Sequence, residues 1–317
     1  MSRTVLVTGA SSGIGRATAL HLARAGDAVV LVARSGDVLA EVAEECEGLG
    51  GRATVAVADV ADAAEVAAAF DAGEAAFGPI DGVVHAAAVL AYGRFEDVPV
   101  EVFDRALVVN VLGTANVARE AVRRRTSTGA PQSMVVVGSL LGRISAPYMS
   151  GYSASKWAVH GLVRALQIEA RTGSGLRVGL VSPGGVDTPI YRTSGNYVGR
   201  PGSPPPPVYA PQAVADLVVR SLDDPRRNAS IGLLNHISSL GFRMLPGVFD
   251  VAITPVIERL AISRTESAEP GPGNVMEPTP EGYAVDAHQA PSVASRATSA
   301  LTGAAGAAQR LLGRTKG

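Results

Sequence analysis

The sequence predicts a doubly wound parallel α/β sheet, built as a single domain with a C-terminal extension. Three observations carry that prediction. Short, β-branched apolar runs recur from residue 1 to about 260 without polar interruption, as strands buried on both faces of a parallel sheet do. Longer stretches with helical periodicity separate them, so strand and helix alternate. The third is bulk: 317 residues, 47% hydrophobic and 18% charged, can bury a sizeable core and do not describe a disordered chain.

Taken in order, residues 4–8 form the first strand candidate and run through a glycine-rich turn into a helix over 13–25. Strand 28–33 precedes helix 38–49, strand 53–58 precedes helix 61–77, and strand 82–87 precedes a long helix over 100–125. Strand 133–137 is followed by helix 151–172, strand 177–181 by helix 211–222, and residues 229–233 offer a seventh strand. Right-handed crossovers in such a sheet place a ligand at the carboxyl ends of the strands. Residues 188–210, with Tyr191, Tyr197 and Tyr209 around Pro204–Pro207, are too long and irregular for a simple connection and read as a lid or a mobile insertion.

After residue 263 the composition shifts to Pro, Gly, Ser, Thr and Ala, and 264–292 read as mostly disordered. Beyond them Val293, Ala297, Leu301, Ala304, Ala308 and Leu312 make a helical stripe flanked by Arg296, Arg310, Arg314 and Lys316. This 293–315 segment is either a basic amphipathic helix for peripheral contact with an anionic membrane or a disordered tail. Gly303 and Gly306 weigh against the helix. Either way, removal of everything after residue 263 is expected to leave cofactor binding intact and activity in solution largely unchanged.

Charge and cysteine content exclude several classes. Lys and Arg number 28 against 29 Asp and Glu, so nucleic acid is not an expected partner. One cysteine, Cys46, cannot form an internal disulfide, which points to a reducing, cytoplasmic setting. Met1-Ser2-Arg3-Thr4 lacks the layout of a signal peptide, and no apolar run is long enough to span a bilayer. His21, His160, His236 and His288 show no metal-ligand spacing, so no metal is expected.

The first turn carries the clearest chemistry. Thr8-Gly9-Ala10-Ser11-Ser12-Gly13-Ile14-Gly15 follows a strand and opens a helix. Glycines let the main chain approach a pyrophosphate, and the helix N-terminus offers free N–H groups and positive dipole to it. An ordinary glycine turn is the alternative. The spacing of Gly9, Gly13 and Gly15 is T-G-x-x-x-G-x-G, and Tyr152-Ser153-Ala154-Ser155-Lys156 adds Y-x-x-x-K. With both, the sequence resembles the classical short-chain dehydrogenase/reductase family, whose fold is Rossmann-like, over roughly residues 3–235.

Four residues apart on a helix, the Tyr152 phenol and the Lys156 ammonium share a face. A nearby cation favours phenolate and lowers a tyrosine pKa, which makes Tyr152 a general acid or base at a carbonyl or alcohol. The chain has only two lysines, Lys156 and Lys316, and a compact ammonium suits this role better than a guanidinium. The resemblance implies the rest of a tetrad: Ser139, thirteen residues before Tyr152, would orient the substrate oxygen, and Asn110 would hold a proton-relay water.

The same resemblance implies cofactor contacts from Gly9, Ser11, Ser12, Gly13, Ile14 and Gly15, from Asp59 and Val60 at the adenine, and from Ala87. Further contacts are implied from Tyr152 and Lys156 at the nicotinamide ribose and from Pro183, Gly184, Val186 and Thr188 at the nicotinamide end. No acid follows the second strand to hold the ribose hydroxyls of NAD, whereas Arg34 offers a fork for a 2′-phosphate, so NADP is expected over NAD. The family's N-N-A-G is here His85-Ala86-Ala87-Ala88, and His85 reads as a buried structural replacement.

The expected enzyme moves hydride between NADP(H) and a carbonyl/alcohol pair. An apolar or bulky substrate is suggested by the lid and by the few charges in 231–262. A non-catalytic cofactor-binding sensor or scaffold is the alternative, although such a protein would be expected to lose Tyr152 or Lys156. The two long helices, 100–125 and 151–172, resemble those of the family's dimer interface and imply a homodimer or homotetramer.

Overall fold

The protein is described from a computed structural model covering residues 2–263, 265–279 and 282–287. In chain order the strands are β1 (Thr4–Thr8), β2 (Ala28–Ala33), β3 (Arg52–Val57), β4 (Gly82–His85) and β5 (Ala91–Tyr92). They continue as β6 (Ser133–Val137), β7 (Arg177–Val181), β8 (Gly185–Val186), β9 (Gly195–Asn196) and β10 (Val208–Tyr209). The helices are α1 (Gly13–Arg24), α2 (Gly36–Gly48), α3 (Ala63–Phe77), α4 (Val100–Leu107) and α5 (Gly113–Thr128). After these come α6 (Ser150–Glu169), α7 (Ile190–Thr193), α8 (Pro211–Asp223), α9 (Leu233–Met244) and α10 (Pro246–Leu260).

Six strands form one parallel sheet in the order β3-β2-β1-β4-β6-β7, the doubly wound arrangement the sequence predicts. Except at the partly exposed edge strand β3, its strands show no polar alternation because both faces are covered. Val5, Val7, Val29, Leu31, Val135 and Val137 face one apolar cluster, which takes in residues of α1, α2 and α8. Leu6, Val30, Val32, Val83, Met134 and Val136 face the other, beneath α3, α4, α5 and α6. Side chains alternate across a strand, so an all-apolar run is what two buried faces require. The strand order reverses between β1 and β4, and this opens the crevice in which the glycine turn sits.

Three expectations need correction. The helix expected over 100–125 is broken by a π-helical turn, Val108–Leu112, between α4 and α5. The expected strand at 229–233 reduces to one bridge: Ala229 donates its N–H to the Leu180 carbonyl (2.7 Å) and accepts from Ser182 N–H (2.8 Å). Gly232, at φ 86°, then turns the chain into α9.

The third correction concerns residues 264–292. Their described part is not disordered but runs back over the carboxyl edge of the sheet. Gly271 and Asn196 exchange two main-chain hydrogen bonds (3.0 and 2.8 Å), and Val275 is fully buried in the core. Composition averaged over a Pro/Gly-rich stretch hides the few apolar anchors, Val275, Met276 and Val285, that hold it. The remainder of that stretch and the 293–315 segment lie outside the described residues. Among the described residues no helix is long and apolar enough to cross a membrane.

Candidate active site

The chain leaves β1 at Thr8 and turns at Gly9, whose φ of 69° favours glycine. A Cβ at Gly9 would stand 2.7 Å from the Ala87 nitrogen, and one at Gly15 would overlap the Gly9 carbonyl oxygen. The loop therefore packs backbone to backbone against the end of β4. Ser12, the N-cap of α1, is extended and makes no side-chain cap, so it leaves the first-turn N–H groups for other acceptors.

These residues line a cleft. Gly9, Ser11, Ser12, Gly13, Ile14 and Gly15 form its floor, Arg34, Asp59 and Val60 one end, and Ala87 and Thr188 the other side. A main-chain cradle at a helix N-terminus, with no Cβ in the way, fits the pyrophosphate of a dinucleotide. Asp59 is engaged within the chain: it pairs with Arg105 and accepts from Ala61 N–H at 2.9 Å.

Pro183, Gly184 and Val186 are not among the residues lining this cleft. The Pro183 carbonyl accepts from Leu140 N–H (2.8 Å), Gly184 abuts the Asn235 amide, and Val186 pairs with Tyr209. Sequence reasoning missed the outer wall, where Asn274, Pro278, Thr279, Gly282 and Tyr283 complete the lining. One signal was available: Tyr283 is the only aromatic residue after position 263.

The expected tetrad gathers around α6, and Tyr152 and Lys156, both also expected at the cofactor, are not among the residues lining this cleft. Ser139 lies just past β6, where its Oγ accepts from Leu141 N–H at 3.1 Å. Lys156 lies one turn past Tyr152 along α6. Its Nζ sits 5.5 Å from the Tyr152 ring centroid and donates to the Val137 carbonyl at 3.2 Å. Burial lowers the Lys156 ammonium to about 8. Burial also pushes the Tyr152 phenol up to about 12, against an opposing pull from the Ser139 hydrogen bond. The lowered phenol expected from the lysine is thus reversed, because desolvation of the phenol outweighs what lowers it.

Asn110 sits in the π turn, buried, and is fully engaged. Its Oδ1 accepts from Val89 N–H (2.9 Å), and its Nδ2 donates to the Val89 carbonyl (2.9 Å) and to Ser155 Oγ (3.0 Å). Since Val89 lines the cleft, Asn110 ties α6 to the cleft wall.

His85 replaces an amide with a bridge between three elements. Its Nδ1 lies 2.9 Å from Thr8 Oγ1 and its Nε2 lies 3.0 Å from Thr114 Oγ1. Thr114 already donates its hydroxyl to the Asn110 carbonyl at 2.6 Å, so it accepts from His85. The ring is therefore the neutral Nε2–H tautomer, with Thr8 donating to Nδ1. Burial first, and the Lys156 charge second, push its pKa down to about 3.

Tyr152 packs against a third apolar cluster. Leu90, Tyr92, Met149, Ile257, Ala261 and Ile262 form it, with Ile190 and Tyr191 packed against it. The Tyr92 hydroxyl is buried without a hydrogen-bond partner, and burial raises both Tyr92 and Tyr191. Among the described residues no group of three or more His, Cys, Asp or Glu side chains is placed to hold a metal.

Comparison with known proteins agrees with this geometry. A family model described as short chain dehydrogenase matches residues 3–197. The uncharacterized oxidoreductase YxnA of Bacillus subtilis (strain 168) is 31% identical over 274 residues, 84% of this chain and 77% of that protein. Glucose 1-dehydrogenase of Gluconobacter oxydans (strain 621H) is 38% identical over 189 residues, covering 59% of this chain and 71% of its own. Among solved structures, the alcohol dehydrogenase of Thermococcus sibiricus complexed with 5-hydroxy-NADP matches with a TM-score of 0.62 and 30% identity. That match covers 73% of this chain and 96% of the other. A short chain dehydrogenase of Mycobacterium paratuberculosis bound to NAD matches with a TM-score of 0.63 and 27% identity, over 72% and 96% of the two chains.

Proposed function

The chain belongs to the short-chain dehydrogenase family, and from that premise we propose that it reduces a carbonyl, or oxidises the matching alcohol, with NADP(H) in preference to NAD(H). The observation that carries the reading is the Lys156 ammonium 5.5 Å from the Tyr152 ring, one helical turn along α6, with Ser139 just past β6 acting on the same phenol. A bound nicotinamide dinucleotide supplies or accepts the hydride. The Tyr152 hydroxyl gives its proton to the carbonyl oxygen as that carbon is reduced, and the phenolate takes it back in the reverse direction. A phenol held near pKa 12 keeps the proton that reduction consumes. Ser139 orients the substrate oxygen, Lys156 holds the nicotinamide ribose, and Asn110 anchors α6 to the cleft through Val89.

Arg34, at the cleft end next to β2, supports the preference for a 2′-phosphate, and no carboxylate directly follows that strand. The apolar cluster beside Tyr152 supports an apolar or bulky substrate. Exposed Leu112, in the turn joining α4 to α5, and exposed Ile168 on α6 support a homodimer or homotetramer built on those helices. A single buried cysteine supports a cytoplasmic setting.

The test is a panel of apolar ketones and alcohols read by reduced-cofactor absorbance with each cofactor in turn. A panel that is silent while the cofactor binds removes the enzymatic reading in favour of a cofactor sensor, whereas turnover that survives in Tyr152→Phe removes the acid/base role given to Tyr152.

A further inference from the structure

Main-chain carbonyls of the C-terminal segment occupy the groups that would hold phosphate. The Asn274 and Met276 carbonyls accept from the two terminal nitrogens of Arg34, at 2.6 and 3.1 Å. The Tyr283 carbonyl accepts from Arg16, and the Ala284 carbonyl accepts from Gly13 N–H at 3.0 Å. The Tyr283 and Ser35 hydroxyls lie 2.8 Å apart. Arginine forks and a helix N-terminus are the donors that attract phosphate oxygens. At Arg34 and Gly13, which line the cleft, three partly negative carbonyl oxygens stand in for them, while Arg16 lies outside the lining and also pairs with Glu45.

On the dinucleotide reading of this cleft, we propose that residues 282–285, hinged on the anchored stretch 271–279, form an internal competitor that must leave before the cofactor's pyrophosphate can bind. A simple cover would shield the cleft and leave its donors free. This segment takes them, and a phosphate reaching Gly13 N–H has to displace the Ala284 carbonyl. The two ends are held unequally. The first is fixed by the Gly271–Asn196 pair, by buried Val275, and by the Asn274 amide donating to Thr193 Oγ1 at 3.0 Å. The second depends on Gly282, whose φ of 89° is left-handed and which lies directly against Thr193. Release therefore swings the 282–285 end while Val275 stays in the core. The state populated without cofactor lowers the apparent affinity by the fraction of open molecules.

The experiment titrates NADPH and NADH into the full chain and into two variants, by fluorescence and calorimetry. Gly282→Ala places a Cβ against Thr193 at a φ that alanine avoids, and Tyr283→Phe deletes the bond to Ser35 while keeping the ring. Both are expected to bind NADPH more tightly, Gly282→Ala on the order of tenfold. Hydrogen exchange on the unmodified chain provides a check free of mutation: adding NADPH should speed exchange of the Ala284 and Val285 amides. Unchanged or weaker binding in both variants, or slower exchange there on adding NADPH, overturns the competitor and leaves the dehydrogenase reading standing. Failure of every chain to bind either dinucleotide overturns both.

Discussion

Tyr152 holds its proton because it is desolvated, and that proton is what the proposed chemistry consumes. Tyr152→Phe is expected to keep the fold and cofactor binding while kcat falls by about 100-fold or more, measured once a substrate is in hand. At the other end of the cleft, Ala33→Asp with Arg34→Ala should move the ratio of NADH to NADPH affinity toward NADH, read by parallel titrations. These side chains were legible in the sequence because their chemistry lies in the side chain and their spacing places them on one helix face or one turn. The carbonyls of Asn274, Met276, Tyr283 and Ala284 were not, since every residue carries a carbonyl. The state of Tyr152 was only half legible: spacing shows that a lysine is near, and only packing shows that burial prevails.

At the scale of elements, the strands read well because a run buried on both faces can be little else. The π turn at Val108–Leu112 did not, since one extra residue per turn scarcely alters apolar periodicity over five residues. That turn carries Asn110. Asn110→Ala would leave the Val89 N–H and carbonyl without their partners, at a cost of about 2 kcal/mol or more in unfolding free energy. Urea denaturation measures it. A loss confined to activity, with the denaturation midpoint unchanged, would mean that the amide does not hold the element together. The seventh strand failed for a different reason. Residues 229–233 have strand composition, but Gly232 turns the chain after a single bridge.

For the whole molecule, one buried and one half-buried imidazole set a pH limit. Burial, with neighbouring positive charges, pushes His85 to about 3 and His160 to about 4. The unfolded chain protonates both near 6.5, so between there and the folded values the unfolded state binds more protons. Stability is therefore complete above about pH 6.5 and falls as the pH drops, by up to about 1.4 kcal/mol per pH unit for each histidine. His85→Asn should flatten the decline of Tm between pH 6.5 and 4, and an unchanged slope would remove His85 as its source. The C-terminal segment also changes the forecast for truncation. Ending the chain at residue 263 deletes Val275 from the core, so the shortened protein should unfold at lower urea and is not a neutral variant.

The position of that segment in the chain has a consequence for synthesis. A polypeptide leaves the ribosome from its N-terminus, and the early part of a chain begins to fold before the rest is made. The phosphate turn, Arg34 and the tetrad all lie before residue 160, whereas the carbonyls that cap Gly13 and Arg34 lie after residue 270. On the competitor reading, a nascent chain offers its cradle to cellular dinucleotide during an interval in which its rival has yet to be translated.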